Sequence, residues 1–322
     1  MKILITGGGG FLGSRLTQAL LARGKLGGQA IGGITLLDGA FPPALPQDAR
    51  LKAVQGDVSD PKVIASVCTP DTAAVFHLAA VVSGAAEADF DLGMRVNLEG
   101  TRLLLEQMRK CARPPRLVFT SSVAAFGGNL PPVLDDATIA NPQTSYGAQK
   151  VIGEYLVSDL SRKGYIDGRS LRLPTIVVRA GKPNAAASSF ASGIIREPLN
   201  GVASECPVAP ETGVWLLSPR RVVDAFLHAW ELAPEAWGTQ RWLNLPGITT
   251  SVAQMVEALK KIAGDVVAKR VVYKADARIQ SIVKTWPVNF RTPRALALGF
   301  KPDADVEAVI RDYIADEKIK PA

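Results

Sequence analysis

The stretch of residues 2–13, which reads KILITGGGGFLG, decides the fold. It begins with a short apolar run, Lys2–Thr6, that predicts a buried β-strand, and four consecutive glycines follow it. Phe11–Arg23 then carries apolar residues at helical spacing and stops before Gly24, so it predicts an α-helix. A strand, a glycine-rich turn and a helix in this order open a βαβ unit.

The glycines in this turn have the spacing that a bound pyrophosphate requires. Gly7, Gly10 and Gly13 form the pattern G-x-x-G-x-x-G. The first glycine permits a tight turn, the second lets the backbone approach a pyrophosphate, and the third lets the helix lie close to the strand. The helix N-terminus, which begins with Phe11 and Leu12, offers N–H groups and a positive dipole end to phosphates. The turn therefore predicts a dinucleotide site, with an ordinary structural turn as the alternative.

A second predicted strand, residues 34–38, ends at Asp38, about twenty-five residues after Gly13. The preceding residues 25–33 contain four glycines and predict a loop. A carboxylate at the end of this strand accepts hydrogen bonds from adenosine ribose hydroxyls and repels a 2′-phosphate. Residues 39–41 include no arginine. These features favour NAD over NADP, with an ordinary strand-end aspartate as the alternative.

Further strands and helices alternate through the first half of the chain. We predict strands at residues 51–55, 73–77 and 116–120, and helices at residues 94–111 and 146–162. The strands are continuously hydrophobic, which is typical of a parallel sheet covered on both faces. The predicted fold class is therefore α/β, with a doubly wound parallel Rossmann sheet.

The pattern changes after about residue 180. Short strands are predicted at residues 214–217, 241–245 and 270–273, and helices at residues 220–232 and 252–262. This mixture predicts a small mixed α/β C-terminal part. We expect an NAD-binding Rossmann domain over residues 1–180 and a mainly substrate-binding part over residues 181–322, partly interleaved with the Rossmann core.

The composition argues against several classes of protein. Aromatic residues make up 6% of the chain and no run of five basic residues occurs, so we expect no nucleic-acid partner. Three cysteines without C-x-x-C spacing and two histidines predict neither a disulfide framework nor a metal site. No apolar stretch of about eighteen residues occurs, and the chain opens on a strand, so we expect a cytoplasmic protein without a membrane partner. The scattered basic residues behind the net charge of +7 indicate an ordinary solvated surface, with attraction of anionic substrates and a dinucleotide as the alternative role.

Tyr146 and Lys150, in the sequence YGAQK, lie four residues apart. On the predicted helix their side chains share one face, one turn apart. A tyrosine has an unperturbed pKa of about 10, and a neighbouring ammonium lowers it. Lys150 and a positive nicotinamide ring together would need to lower it by about 3 units, which corresponds to about 4 kcal/mol. Tyr146 is therefore the predicted general base that accepts the proton of a secondary alcohol as hydride leaves the carbon.

Ser122 follows the predicted strand at residues 116–120, in the segment FTSSVAAFG. The carboxyl ends of parallel strands are where such sheets bind their ligands. We therefore predict that Ser122 donates a hydrogen bond to the substrate oxygen, with Ser121 as the alternative.

These motifs together resemble the extended short-chain dehydrogenases/reductases of the epimerase/dehydratase type, over essentially the whole chain. The matching residues are Thr6, Gly7, Gly10, Phe11, Leu12, Gly13, Asp38, Gly56, Asp57, Val58, His77, Leu78, Ala79, Ala80, Asn97, Ser122, Tyr146 and Lys150. The resemblance implies that Asp57 and Val58 border the adenine and that residues 78–80 line the nicotinamide-side ribose. It implies that Lys150 also binds ribose hydroxyls, and that Asn97 supports the active-site helix as part of the cofactor site.

The resemblance carries two further expectations. His77 is a structural strand-end residue in this pattern, and His228, on an apolar helix, is expected to be a core histidine. The helices at residues 94–111 and 146–162 form a dimer interface in relatives, so the resemblance implies a homodimer.

The chain departs from the sugar-nucleotide enzymes of the family at two places. Val123 and Ala124 stand where the dehydratases carry an Asp-Glu pair, so elimination chemistry lacks its acid and base. The usual Asn-Val-Tyr-Gly-Pro stretch is replaced by TIVVRAGKPN at residues 175–184, which points to a different substrate. The segment at residues 172–190 resembles sugar-acid dehydrogenases of the family, which oxidise the C2 hydroxyl of a four-carbon acid to a 2-oxo acid.

A small acid needs a cationic or multi-donor site for its carboxylate. Arg179 is the first candidate, with a structural ion pair as its alternative role. Ser83, in a glycine- and alanine-rich loop, is also predicted to bind substrate, and Lys182, Asn184 and Ser188 are further candidates.

The sequence therefore predicts an NAD-dependent dehydrogenase that acts on a small sugar acid. Within enzymes, the alternatives are a uronate dehydrogenase and a sugar-nucleotide 4-epimerase with tightly held NAD. Outside enzymes, the alternative is a dinucleotide-sensing binding protein that has lost catalysis, against which the intact Ser122, Tyr146 and Lys150 argue.

Overall fold

The computed structural model describes residues 1–181 and 187–320, and the chain divides into two compact units. The first unit contains Met1–Ala125, Thr144–Arg172 and Val223–Leu243, and the second contains Phe126–Gln143, Leu173–Val222 and Asn244–Ala322. Compared with the predicted boundary after residue 180, residues 126–143 and 173–180 group with the second unit. Residues 223–243 group with the first.

The described strands alternate with helices along the first unit and become shorter in the second. The strands are β1 (Lys2–Thr6), β2 (Lys25–Leu26), β3 (Gln29–Ala30), β4 (Gly33–Asp38), β5 (Leu51–Gln55), β6 (Thr72–His77), β7 (Arg116–Ser122), β8 (Asp167–Leu173), β9 (Thr175–Ile176), β10 (Ser204–Cys206), β11 (Gly213–Leu217), β12 (Trp242–Asn244), β13 (Ile248–Ser251) and β14 (Val271–Tyr273).

The α-helices are α1 (Phe11–Arg23), α2 (Pro61–Val67), α3 (Ser83–Ala88), α4 (Phe90–Gly93), α5 (Gly100–Met108), α6 (Ser145–Arg162), α7 (Ser189–Leu199), α8 (Pro219–Glu231), α9 (Pro234–Trp237), α10 (Val252–Ala263), α11 (Asp265–Ala268), α12 (Ala277–Val283), α13 (Pro293–Ala297) and α14 (Val306–Glu317). A π-helix at Met94–Glu99 runs directly into α5, and Val123–Ala125 forms a 3₁₀ turn.

A seven-stranded sheet forms the centre of the first unit, in the order β12-β8-β7-β6-β1-β4-β5. β1 pairs in parallel with β4 on one side and β6 on the other, so that Ile5 lies opposite Leu36 and Phe76. The chain builds outward from β1 first in one direction and then in the other, which is the doubly wound Rossmann order. The predicted fold class is confirmed, and the order reverses at the carboxyl ends of β1 and β6.

The apolar strands and the helices that cover them share one core. Leu4, Val75 and Leu117 from the sheet lie in one buried cluster with Leu104 from α5 and Val157 from α6. Fully burying an aliphatic side chain of this size stabilises the fold by about 1.5–3 kcal/mol. The same burial fixes α5 and α6 against the sheet, and α6 carries Tyr146 and Lys150.

Residues 25–30 form a short hairpin, so the loop predicted over residues 25–33 is wrong in this part. β2 and β3 pair antiparallel, with Leu26 opposite Gln29. Gly27 and Gly28 both have positive φ, at 54° and 79°, as a two-residue type I′ turn requires. The glycines that indicated a loop thus form the turn of a hairpin.

The second unit contains a mixed sheet and a separate pair of strands. β13, β11 and β9 form a three-stranded sheet in which β11 is antiparallel to β13 and parallel to β9. β10 and β14 pair in parallel. The unit has its own buried apolar cluster, which includes Ile194 of α7, Leu216 of β11, Met255 of α10 and Ile310 of α14.

No helix in residues 1–181 and 187–320 is both long and apolar enough to cross a membrane. In the same part of the chain, no group of three His, Cys, Asp or Glu side chains is arranged to hold a metal ion. Cys68, Cys111 and Cys206 are free thiols.

Candidate active site

The glycine turn between β1 and α1 leaves no room for side chains. Gly7 has a φ of 74°, and a Cβ atom there would lie 2.7 Å from the backbone N of Ala79. A Cβ at Gly13 would overlap the carbonyl oxygen of Gly7. Gly10 caps α1 without a side-chain hydrogen bond, so no side chain covers the N–H groups of Phe11 and the residues after it. A pyrophosphate would fit at this helix N-terminus, and its binding here stays a prediction from the sequence.

Asp38, at the end of β4, is held beside this turn. Its Oδ2 accepts a hydrogen bond from the backbone N of Gly9 at 2.9 Å, and its Oδ1 accepts one from Ala40 at 3.3 Å. An ionised carboxylate offers about four acceptor positions, so acceptor capacity remains for ribose hydroxyls. The contact with Gly9 brings the predicted ribose-binding carboxylate and the predicted phosphate-binding turn together.

The two residues predicted to border the adenine have different surroundings. The Asp57 carboxylate accepts hydrogen bonds from the backbone N and Oγ of Ser59, at 2.8 and 2.7 Å, and it forms an ion pair with Arg95. Val58 is buried in the core of the first unit. Arg95, which holds Asp57 in place, was not singled out from the sequence.

The segment after β6 runs alongside the glycine turn. The backbone N of Leu78 donates to the carbonyl oxygen of Thr6 at 3.0 Å, and that of Ala79 donates to the Thr6 hydroxyl at 3.4 Å. Asn97 then holds the next residues, because its side chain accepts from the N of Val81 at 2.8 Å and donates to the carbonyl oxygen of Val81 at 3.1 Å. Ser83 follows as the first residue of α3 and is half-buried.

His77 is uncharged and has a structural role. Its Nδ1 lies 2.6 Å from the Thr6 hydroxyl, and its Nε2 lies 2.8 Å from the Thr101 hydroxyl. Thr101 donates its hydroxyl proton to the carbonyl oxygen of Asn97, so it accepts from Nε2, and Nδ1 accepts from Thr6. Burial, and to a smaller extent the charge of Lys150, lowers the pKa of His77 to about 3. With both ring nitrogens engaged, His77 is not a base for the substrate.

Tyr146 lies in the first turn of α6, beside Ser122 at the end of β7. The Thr144 hydroxyl caps this helix by accepting from the backbone N of Gly147 at 3.1 Å. The Ser122 side chain lies close enough to the Tyr146 phenol to act on its pKa, which it lowers against the effect of burial. The predicted base and the predicted substrate donor therefore lie side by side, which is the geometry that both need to contact one alcohol oxygen.

Ser121, the alternative to Ser122, has a different partner. Its side chain is 2% exposed and donates to the Glu154 carboxylate. The proton of Ser121 is directed to this buried carboxylate, whereas the Ser122 side chain lies beside the Tyr146 phenol, where the substrate oxygen is expected. The geometry favours Ser122.

Lys150 lies one turn after Tyr146 and is only 2% exposed. Its Nζ is 5.6 Å from the centroid of the Tyr146 ring and 5.0 Å from that of Phe119. Burial lowers the pKa of Lys150 to about 7, against the opposing charge of Glu154. Burial also raises the pKa of Tyr146 to about 12, against the hydrogen bond from Ser122.

The predicted lowering of the pKa of Tyr146 is therefore not found with the groups of this chain, because loss of solvent outweighs the interaction with Ser122. The prediction also relied on the positive nicotinamide ring. To lower the pKa of Tyr146, the charge of that ring would have to outweigh the effect of burial.

Several buried polar residues near Lys150 were not identified from the sequence. Glu154, four residues after Lys150, forms a buried ion pair with Arg172, and Gln149 accepts a hydrogen bond from Asn97 at 2.8 Å. The spacing Lys-x-x-x-Glu places both side chains on one face of α6, and that signal was available. His228, expected in the core, is half-buried on α8.

Arg179 lies in the second unit among polar groups and another cation. Its NH2 donates to the Ser188 hydroxyl at 3.0 Å, and its backbone N donates to the Ser192 hydroxyl at 3.0 Å. Arg196 donates to the Arg179 carbonyl oxygen at 2.7 Å. Burial lowers the pKa of Arg179, and the charge of Arg196 lowers it further. The other two carboxylate candidates, Lys182 and Asn184, lie outside the described residues.

Known proteins of one family resemble this chain over most of its length. Residues 3–221 match the NAD dependent epimerase/dehydratase family. The chain is 59% identical over 320 residues to the D-erythronate dehydrogenase of Cupriavidus necator, with 98% of each protein covered. It is 43% identical over 314 residues to the D-erythronate dehydrogenase of Haemophilus influenzae, with 98% of this chain and 99% of that protein covered.

Among solved structures, one described as a nucleoside-diphosphate-sugar epimerase from Agrobacterium tumefaciens superposes with a TM-score of 0.95 at 41% identity. The superposition covers 99% of this chain and 94% of that one. The chain therefore belongs to the NAD dependent epimerase/dehydratase family. Its cofactor is NAD, and it is an NAD-dependent oxidoreductase, as the sequence predicted.

Proposed function

We propose that the protein oxidises the C2 hydroxyl of D-erythronate, a four-carbon sugar acid, to the 2-oxo acid with NAD as the oxidant. The observation that carries the reaction type is the contact between Ser122 and the Tyr146 phenol, one helical turn from the buried Lys150. The substrate is supported by full-length similarity to two D-erythronate dehydrogenases.

The side chains of this site divide the chemistry between them. Ser122 donates a hydrogen bond to the C2 hydroxyl oxygen, and Tyr146 accepts the hydroxyl proton as the C2 hydride departs. NAD, when bound, supplies the hydride acceptor and a positive ring charge. Lys150 contributes a second positive charge, which favours the phenolate form of Tyr146.

We propose that Arg179 binds the carboxylate of the substrate. No acidic residue in the described ranges forms an ion pair with it, so its alternative role as a structural ion-pair partner has no support. A guanidinium that is half-buried beside a second cation, Arg196, gains most from a bound anion. Ser188 orients the Arg179 side chain. Ser83 stays a proposed substrate contact on the basis of its position at the start of α3.

A panel of tetronic, aldonic and uronic acids, assayed with NAD and with NADP, tests the substrate. We expect NADH formation to be fastest with D-erythronate and to be much slower with NADP. A higher kcat/KM for a uronic acid would make the protein a uronate dehydrogenase, and no turnover of any acid would overturn the proposal.

The structural similarity to a protein described as a sugar-nucleotide epimerase favours one competing function. An epimerase regenerates its cofactor in each cycle, so it would purify with bound NAD and convert a nucleotide sugar without net formation of NADH. A dehydrogenase forms one NADH for each 2-oxo acid. The ratio of NADH to product, followed by absorbance and chromatography, separates the two.

We also propose that the protein is a cytoplasmic homodimer that pairs through α5 and α6, as the resemblance implies. On α6, Tyr155 is 61% exposed and Ile152 is 42% exposed, and exposed apolar side chains of this size favour an interface. Light scattering should give twice the mass of one chain for the native protein and the mass of one chain for Ile152→Lys. A monomeric native protein would contradict the proposal.

A further inference from the structure

Glu154 is a buried acid that the reaction described above does not use. It lies on α6 one turn after Lys150, and it is 1% exposed. Burying an ionised carboxylate is costly unless it is paired and hydrogen-bonded. Its presence next to a catalytic lysine therefore needs a reason.

Three contacts hold the Glu154 carboxylate in one orientation. Arg172, on β8, donates from Nε to Oε1 at 2.8 Å and from NH2 to Oε2 at 2.6 Å, which makes a bidentate pair. Ser121, on β7, donates its hydroxyl to Oε1. Arg172 is 4% exposed, so the pair is screened little by solvent. The charge of Glu154 is thus fixed by two neighbouring strands of the sheet.

We propose that Glu154 is a positioning residue for hydride transfer, whose fixed negative charge, one helical turn away, keeps the Lys150 ammonium protonated beside Tyr146. The proposal concerns the same site as the proposed function and rests on it for its catalytic consequence.

The other groups around Lys150 do not supply this charge. His77, on β6, is neutral, and Phe119, on β7, offers only its ring face. Tyr146, on α6, is neutral until it loses its proton. Arg172 is a cation and would by itself oppose protonation of Lys150. Among the described residues, Glu154 is the acid whose charge raises the pKa of Lys150.

Loss of the Glu154 charge lowers the pKa of Lys150 further below its usual value, so more of the lysine is neutral at pH 7. A neutral Lys150 no longer favours the phenolate, so Tyr146 accepts a proton less readily. The acid-side midpoint of the kcat/KM profile should then move to higher pH.

The direct test measures the protonation of Lys150 in the protein without substrate. Side-chain carbon resonances of labelled lysine are followed by NMR across pH, and Lys150→Arg identifies the signal. Native protein should titrate near pH 7. In Glu154→Gln the midpoint should fall by one pH unit or more, a tenfold or greater change in the protonation equilibrium. An unchanged midpoint would overturn the proposal.

Two further variants separate charge from packing. Ser121→Ala removes a hydrogen bond to Glu154 but keeps its charge, so the Lys150 midpoint should stay within a few tenths of a unit of the native value. Glu154→Gln leaves Arg172 buried without its partner and is at risk of misfolding. The double variant Glu154→Gln with Arg172→Met removes both charges, and its Lys150 midpoint should still lie below the native one. If Lys150 titrates in the folded double variant at the same pH as in the native protein, Glu154 acts only as a structural partner of Arg172.

Turnover gives a second readout. At pH 7, kcat/KM of Glu154→Gln should fall about tenfold or more, with its acid-side midpoint displaced upward, and Glu154→Asp should restore much of both because it restores the charge. If D-erythronate is not a substrate but the Lys150 midpoint falls in Glu154→Gln, the proposed function fails and this inference stands. If D-erythronate is oxidised and neither the Lys150 midpoint nor the profile moves, the inference fails alone.

Discussion

Lys150 in the first unit and Arg179 in the second are both cations withdrawn from solvent, but their surroundings are opposite. Lys150 has a fixed carboxylate one helical turn away, in Glu154. Arg179 has a second cation beside it, in Arg196, and no acidic partner among the described residues. A cation that must keep its charge for every turnover gains from a permanent counter-charge. A cation that binds an anion gains from having none until that anion arrives.

The largest effect is expected at the base beside Lys150. Tyr146→Phe removes the phenol oxygen that accepts the substrate proton, so turnover should fall by about 10²–10⁴-fold. The affinity for NADH, measured by fluorescence titration, should change less than about threefold, because the glycine turn and Asp38 are untouched. Retained turnover would show that the proton leaves by another route.

A loss of affinity rather than of chemistry is expected at Arg179. Arg179→Met removes a charge-assisted contact worth about 1.5–3 kcal/mol, so KM for the sugar acid should rise by about 10–150-fold while KM for NAD stays the same. Arg179→Lys is the matched control and should recover part of the affinity, since it keeps the charge but not the planar fork. An unchanged KM in Arg179→Met would place the carboxylate elsewhere.

Substitutions of the two adjacent serines in the first unit are expected to differ in their effect on turnover. Ser122→Ala removes the donor beside Tyr146, and loss of one such hydrogen bond should lower kcat by about tenfold. Ser121→Ala should lower kcat by less than about threefold, because Glu154 keeps its ion pair with Arg172. Steady-state kinetics on the two variants in parallel are decisive. Equal losses of kcat in the two variants would mean that the different hydrogen-bond partners of Ser121 and Ser122 do not decide which hydroxyl acts on the substrate.

A smaller effect, on stability, is expected at His77. Its pKa is about 3 in the folded protein and about 6.5 when unfolded, so the unfolded chain binds the extra proton between these values. The free energy of unfolding should therefore fall, as pH drops from about 6.5 towards 3, by up to about 1.4 kcal/mol per pH unit from this group. Urea denaturation of His77→Gln should show a shallower slope there than native protein. The same slope in both would indicate that His77 is protonated in the fold.

The parts of the fold that repeat a simple pattern could be predicted from the sequence. β1 and α1 have the predicted bounds, because a continuous apolar run and a helical period each determine one element. The π-helix at Met94–Glu99 was predicted as ordinary helix, since a segment of six residues is too short to show the period of a wider turn. The hairpin at residues 25–30 was missed because paired glycines are common to loops and to type I′ turns.

Some residues of the candidate site could likewise be predicted from the sequence, and the contacts of others could not. Tyr146, Lys150 and the glycine turn are close in sequence to the elements that position them, so a short motif is enough to predict them. The contacts that decide their chemistry come from distant segments, such as Arg172 on Glu154 and Thr101 on His77. The direction of the pKa shift of Tyr146 depended on burial, which a four-residue spacing does not specify.

The central claim, that this site transfers hydride from a sugar acid to NAD, is tested most directly by one assay. Purified protein is mixed with D-erythronate and NAD, absorbance of NADH is recorded, and the product is identified by mass spectrometry. We predict one NADH for each molecule of the 2-oxo acid formed, and no signal with Tyr146→Phe. Absence of NADH with native protein, or equal formation with Tyr146→Phe, would contradict the account.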